Sequence, residues 1–191
     1  HDALPILPNY ILPSDFLNDW LSNDYLSDYP KDKIEFNKYY KRYLYGGFLH
    51  HSKISYDQNL EPVIKIIKSM DKIPRLLDVG SGTGTDGLFL SQLGCDVTGI
   101  EIFNSMRSVA ETRLSICKSI YNASFNCKFE KSSLFDYENE EGFDIIYLHQ
   151  VFHHLEPRDR VIEKRYSLLK PSGYIVISEV NYYNFFMQLS L

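Results

Sequence analysis

Beyond about Tyr56, short runs of apolar residues alternate with segments whose apolar positions recur at helical spacing. The runs "RLLDV" from Arg75, "DVTGI" from Asp96, "CKFEK" from Cys127, "FDIIYLH" from Phe143 and "GYIVISEV" from Gly173 read as strands. Between them, "NLEPVIKIIKSM", "TDGLFLSQL", "SMRSVAETRLSICKSI" and "RDRVIEKRYSLL" read as helices, the third capped by Ser105. Near-continuous apolar strands alternating with helices predict an α/β fold, a mostly parallel sheet covered by helices on both faces. Ligands of such sheets bind at the carboxyl ends of the strands, where Gly80, Glu101, Ser133 and His149 are expected to converge.

The pattern before Tyr56 is different. Residues 1–30 hold four prolines and many Asn, Asp and Ser residues, which predicts an irregular lead with at most a short helix around Phe16 to Leu21. In "IEFNKYYKRYLYGGF", Phe36, Tyr39, Tyr40, Tyr43 and Leu44 fall on one helical face, and Gly46 and Gly47 end the helix. Such a stripe marks a face packed on the body of the domain or a lid over a ligand. The expected division is an N-terminal cap segment, residues 1–55, and a ligand-binding domain, residues 56–191.

Composition narrows the function classes. With 44% hydrophobic and 24% charged residues in 191, the chain has the balance of a globular domain. A formal net charge of -5 offers nucleic acid no attraction, so small molecules come first as partners. Cys95, Cys117 and Cys127 lack C-x-x-C spacing, so neither a zinc site nor a disulfide framework is expected. No apolar run has the length of a membrane span and no signal peptide is legible, which makes the cytoplasm the default location.

The chemistry concentrates in "LLDVGSGTGTDG". Gly82, Gly84 and Gly87 fit G-x-G-x-x-G, a dinucleotide fingerprint. Read from Gly80, the same stretch is Asp-x-Gly-x-Gly-x-Gly, with Asp78 on the strand. A buried carboxylate there repels a pyrophosphate and suits a cation, which favours a positively charged or zwitterionic cofactor.

In this register "LLDVGSGTG" resembles the first motif of the class I S-adenosylmethionine-dependent methyltransferases. "DVTGIEIF" is similar to their second strand, "EGFDIIYLHQVFHHLEP" to the fourth strand and its loop, and "LLKPSGYIVISEV" to the helix, turn and fifth strand. The resemblance covers about Tyr56 to Val180. It implies a Rossmann-like fold and S-adenosyl-L-methionine as cofactor, contacted by Asp78, Gly80, Ser81, Gly82, Thr83 and Gly84. It also implies that Glu101 holds both ribose hydroxyls with Ile102 beside it, and that Ser133 and the backbone of Leu134 edge the adenine. Ser133 stands where the family commonly has an acid, a departure that weakens this last carry-over.

The acceptor is expected near the fourth strand's loop, with His149 at the cofactor and His153 or His154 as a general base near neutral pH. Gln150 replaces the Glu of H-E-x-x-H, so no metal is expected. Glu179, Asn181 and Tyr182 come to the site's mouth as acceptor contacts or as an ordinary polar strand end. The implied activity is methyl transfer to a small-molecule, lipid or sugar acceptor. The alternatives are an NAD-dependent oxidoreductase, which leaves Asp78 unexplained, and a non-catalytic scaffold. The resembling fold closes with a hairpin for which little sequence remains after Val180. The expectation is therefore a longer native chain, or an apolar edge strand that pairs in a homodimer.

Overall fold

The computed structural model describes residues 12–47, 49–121 and 125–179. Strands β1 (Arg75–Val79), β2 (Asp96–Glu101), β3 (Cys127–Lys131), β4 (Phe143–His149) and β5 (Leu169–Ser178) form one parallel sheet in the order β3-β2-β1-β4-β5. Helices α1 (Pro13–Ser22), α2 (Pro30–Tyr39), α3 (Lys41–Gly46) and α4 (His50–Ser69) precede it. Helices α5 (Thr85–Gln92), α6 (Asn104–Tyr121) and α7 (Arg158–Leu168) connect its strands. The pleat sends successive residues to opposite faces. Leu76, Val97, Ile145 and Tyr147 enter one core, and Leu77, Ile100, Ile146 and Leu148 enter the other. Strand order reverses between β1 and β4, which opens a crevice at their carboxyl ends.

Within the sheet the structure follows the apolar pattern, with two departures. The expected turn "KPSG" lies inside β5 as an irregularity. Phe143 pairs with Leu169 and Ile145 already with Tyr174, while Ser172 adopts a φ of 62°. Ser105 is not a cap, since α6 begins one residue earlier at Asn104.

The N-terminal part departs more. The lead is helical from Pro13, whose fixed φ suits a first helical turn, and Phe16, Leu17 and Trp20 are buried. The tyrosine helix breaks at Tyr40 (φ −95°, ψ 17°) into α2 and α3. The break turns the Tyr40 ring into the protein while Tyr39 stays half exposed. Residue 55 lies inside α4, in the second turn of a helix that runs from His50 to Ser69. Phe16, Trp20 and Phe36 share one core with Leu60, Leu76 and Leu88. Polar ties reinforce this: Asp57 accepts from the Ser14 amide (2.8 Å) and hydroxyl (2.7 Å), and Asp32 accepts from Ser108 (2.9 Å) and Thr112 (2.7 Å).

Candidate functional site

The turn from β1 into α5 takes positive φ at Gly80 (69°), Gly82 (54°) and Gly84 (78°), whereas Gly87 is helical. The glycines that the backbone requires are those of the register beginning at Gly80. At Gly84 a Cβ would lie 2.7 Å from both Ala110 and the Phe129 ring, so α6 and β3 also exclude a side chain there. The loop is tied down by its own amides. Gly80 and Ser81 donate to the Ile100 carbonyl (2.9 and 3.1 Å), Gly82 to Glu101 Oε2 (3.0 Å) and Gly84 to the Ser81 carbonyl (2.8 Å).

Asp78 is 3% exposed at the end of β1, and its Oδ2 has no partner among the described residues. Burial pushes its carboxyl up to about 8, with Asp86 and Glu101 adding repulsion against a partial offset from His149 and the Gly87 amide. The buried Ser81 hydroxyl is also unpartnered. Unpaired buried polar atoms are costly, and both of these residues line a cavity of about 690 Å³ at the crevice. Gly80, Thr83, His149 and Glu179 line it too.

Glu101, Ile102, Ser133 and Leu134 are not in the wall of that cavity. Glu101 is buried behind the loop, its Oε1 accepting from the Phe103 amide (2.9 Å). Ile102 and Phe103, which follow it, are more than half exposed. Ser133 donates to Asp136 Oδ2 (2.6 Å) and accepts the Asp136 amide (3.2 Å), so its hydroxyl is spent on a local turn. The Leu134 side chain is buried in the second core, which leaves its backbone as the part able to meet a ligand.

Of the three histidines weighed, His149 faces the cavity. Its Nδ1 lies 2.6 Å from Asp86 Oδ2. Burial alone lowers the imidazole's pKa, but Asp86 outweighs this and holds it above the usual value. Asp86 is held below the carboxylate range despite burial, by His149 and by the Tyr56 and Tyr147 hydroxyls. His153 and His154 sit in a 3-10 turn, Phe152–His154, outside the cavity lining. The Nδ1 of His153 pairs with Glu179 Oε2 (2.7 Å), and the other oxygen of Glu179 accepts the Phe152 amide (2.6 Å). Glu179 therefore fixes this turn from the far side of β4. Asn181 and Tyr182 lie outside the described residues.

Sequence reasoning missed Asp86, Tyr56 and Arg113. The first two meet across 30 residues and Asp86 meets His149 across 63, separations without a local signal. Arg113 is fully buried on α6. It donates to the Thr83 carbonyl (2.9 Å) and the Thr85 hydroxyl (2.6 Å), and stacks 4.3 Å from the Trp20 ring and 5.0 Å from Phe36. Tyr40 hydrogen-bonds the same Thr85, and Tyr39, Tyr40 and Tyr43 line the cavity. The tyrosine stripe thus packs on the body and also lines the cavity. Among the described residues there is no cluster able to hold a metal ion, and no helix is long and apolar enough to cross a membrane.

Comparison with known proteins identifies the family of the chain. Residues 77–175 match the family described as "Methyltransferase domain". Phosphoethanolamine N-methyltransferase of Plasmodium falciparum is 29% identical over 126 residues, 63% of this chain and 45% of that protein. Ubiquinone biosynthesis O-methyltransferase of Bradyrhizobium diazoefficiens is 29% identical over 107 residues, 56% and 40% respectively. The chain thus spans less than half the length of these relatives. Among solved structures, phosphoethanolamine N-methyltransferase 2 of Haemonchus contortus, in complex with S-adenosyl-L-methionine, superposes with a TM-score of 0.55 at 23% identity, covering 71% of this chain and 32% of that one. With just over half of its length matched by that family, the chain belongs to the methyltransferase domain family, and its fold is that of the class I S-adenosylmethionine-dependent enzymes.

Proposed function

We propose that this chain binds S-adenosyl-L-methionine in the crevice between β1 and β4 and transfers its methyl group to a small-molecule acceptor bearing an amine or hydroxyl. The observation that carries the reading is the unpartnered, buried Asp78 oxygen in the cavity wall. A carboxylate so placed needs a cation, and the cofactor offers an ammonium. The Ser81 hydroxyl is a second open partner, Glu101 is the ribose group, and Ile102, Ser133 and the Leu134 backbone border the adenine. When bound, the cofactor supplies an electrophilic methyl on a sulfonium. The protein's task is then to orient the acceptor and exclude water, and Tyr39, Tyr43 and Tyr56 form the roof that does so.

An NAD-type reading is weaker for a physical reason. A pyrophosphate needs free loop amides, yet those of Gly80, Ser81, Gly82 and Gly84 already donate within the protein. Calorimetric titration with S-adenosylhomocysteine and, separately, NAD tests the cofactor. Binding of the first alone is expected, and heat from NAD alone sinks the proposal. Transfer from methyl-labelled S-adenosylmethionine is then screened first with phosphoethanolamine, the acceptor that the Plasmodium relative is named for, and next with phenols.

A further inference from the structure

We propose that His149, held by Asp86 and Tyr56, is the general base that takes the acceptor's proton, and that His153 and His154 are not. The inference rests on the methyltransferase reading above. Three features of the site point to it. First, Asp86 occupies Nδ1 of His149 at 2.6 Å, which leaves Nε2 as the nitrogen without a partner among the described residues, on a side chain that lines the cavity. Second, the pair is rigidly held. Asp86 stands in the first turn of α5, directly after the glycine loop, and accepts from Tyr56 of α4 and Tyr147 of β4. The His149 ring lies near both tyrosines, with centroids 6.0 and 5.9 Å away. Third, His153 is already committed to Glu179, and neither it nor His154 borders the cavity.

A base oriented by a second group through its other nitrogen is the arrangement proton abstraction requires. The acceptor's O–H or N–H proton passes to Nε2, the lone pair so released bonds the methyl carbon, and the carbon–sulfur pair goes to sulfur. Imidazolium is stabilised by Asp86 until it returns its proton to water. Asp86 and Tyr56 act through His149 and are positioning residues. The charged and titratable groups around His149 include Asp86 of α5, Asp78 of β1, Tyr56 of α4, Tyr147 of β4 and Glu179 beyond β5, and Arg42 of α3 and His51 of α4 line the same cavity. The carboxylates favour its protonated form, so the base form gains as pH rises above the ordinary histidine range.

The test is nitrogen NMR of histidine-labelled protein saturated with S-adenosylhomocysteine, titrated from pH 5 to 9. The neutral form of His149 should carry its proton on Nδ1, with a midpoint above that of free histidine. Asp86→Asn should lower the midpoint by about tenfold in proton concentration or more, and Tyr56→Phe by less. Methyl transfer to phosphoethanolamine, followed over the same range, should rise with pH through the NMR midpoint, and in Asp86→Asn both midpoints should move down together. A proton on Nε2 of the neutral ring, no titration of His149, or a rate profile that stays put while the NMR midpoint moves overturns the inference. Absence of S-adenosylhomocysteine binding in the wild-type protein is the separate failure of the cofactor reading.

Discussion

If Asp78 receives the cofactor's ammonium as proposed, binding is a deprotonation event, and its size follows from the raised carboxyl. With its carboxyl at about 8 in the empty site, the group is about 90% protonated at pH 7. An ammonium seated against Oδ2 favours the charged form and returns the pKa to the carboxylate range. Binding at pH 7 therefore releases about 0.9 proton. The same linkage makes affinity rise about tenfold between pH 6 and pH 7, a range below the titration of the ligand's own amine. Calorimetric titration with S-adenosylhomocysteine reads both quantities. Run in phosphate and in Tris at one pH, the heats should differ by the proton count times the difference in buffer ionisation enthalpy. Asp78→Asn should lose the buffer dependence together with most of the affinity. Equal heats in the two buffers, with an affinity unchanged from pH 6 to pH 7, refute the reasoning, because Asp78 would then be ionised before the ligand arrives.

The same carboxyl affects the empty protein. Its folded pKa is raised above the unfolded value, so its contribution to stability is complete below about pH 4 and is lost as pH rises to about 8. Asp78→Asn should therefore melt several degrees higher than wild type at pH 8, and the gap should close at pH 4, in ligand-free thermal scans. Gly84→Ala combines a φ of 78° with a methyl 2.7 Å from Ala110 and Phe129. Urea unfolding should show a loss of about 3 kcal/mol, and S-adenosylhomocysteine binding should weaken with it. Arg113→Ala empties a fully buried site and strands the Thr83 carbonyl. A loss of about 3 kcal/mol or more is expected by urea titration, and a change below about 0.5 kcal/mol would contradict the bridging role given to the guanidinium.

What could be read before folding was local. The apolar runs of β1 to β4 are bounded by turn residues close enough in sequence to mark their ends, and the glycine loop announces itself because Gly80, Gly82 and Gly84 answer a backbone need fixed within five residues. The N-terminal helices were harder. Their length is set by contacts with elements far along the chain, such as Asp57 with Ser14 and Asp32 with α6, and no window of sequence contains both partners.

Sequence by itself therefore determined the α/β architecture, the register of the glycine loop and the carboxylates Asp78 and Glu101, because period and spacing carry that information. Tertiary structure decided which of those carboxylates stays unpaired. Gly82 and Phe103 satisfy Glu101, while no side chain among the described residues pairs with Asp78 Oδ2. It also decided which histidine meets the cavity. His149, His153 and His154 stand within six positions of one another, yet only the end of β4 places a ring beside Asp86, and the turn that follows pairs His153 with Glu179 and leaves both of the other rings out of the cavity lining. Burial and partnership are properties of the assembled fold, and charge at this site depends on both.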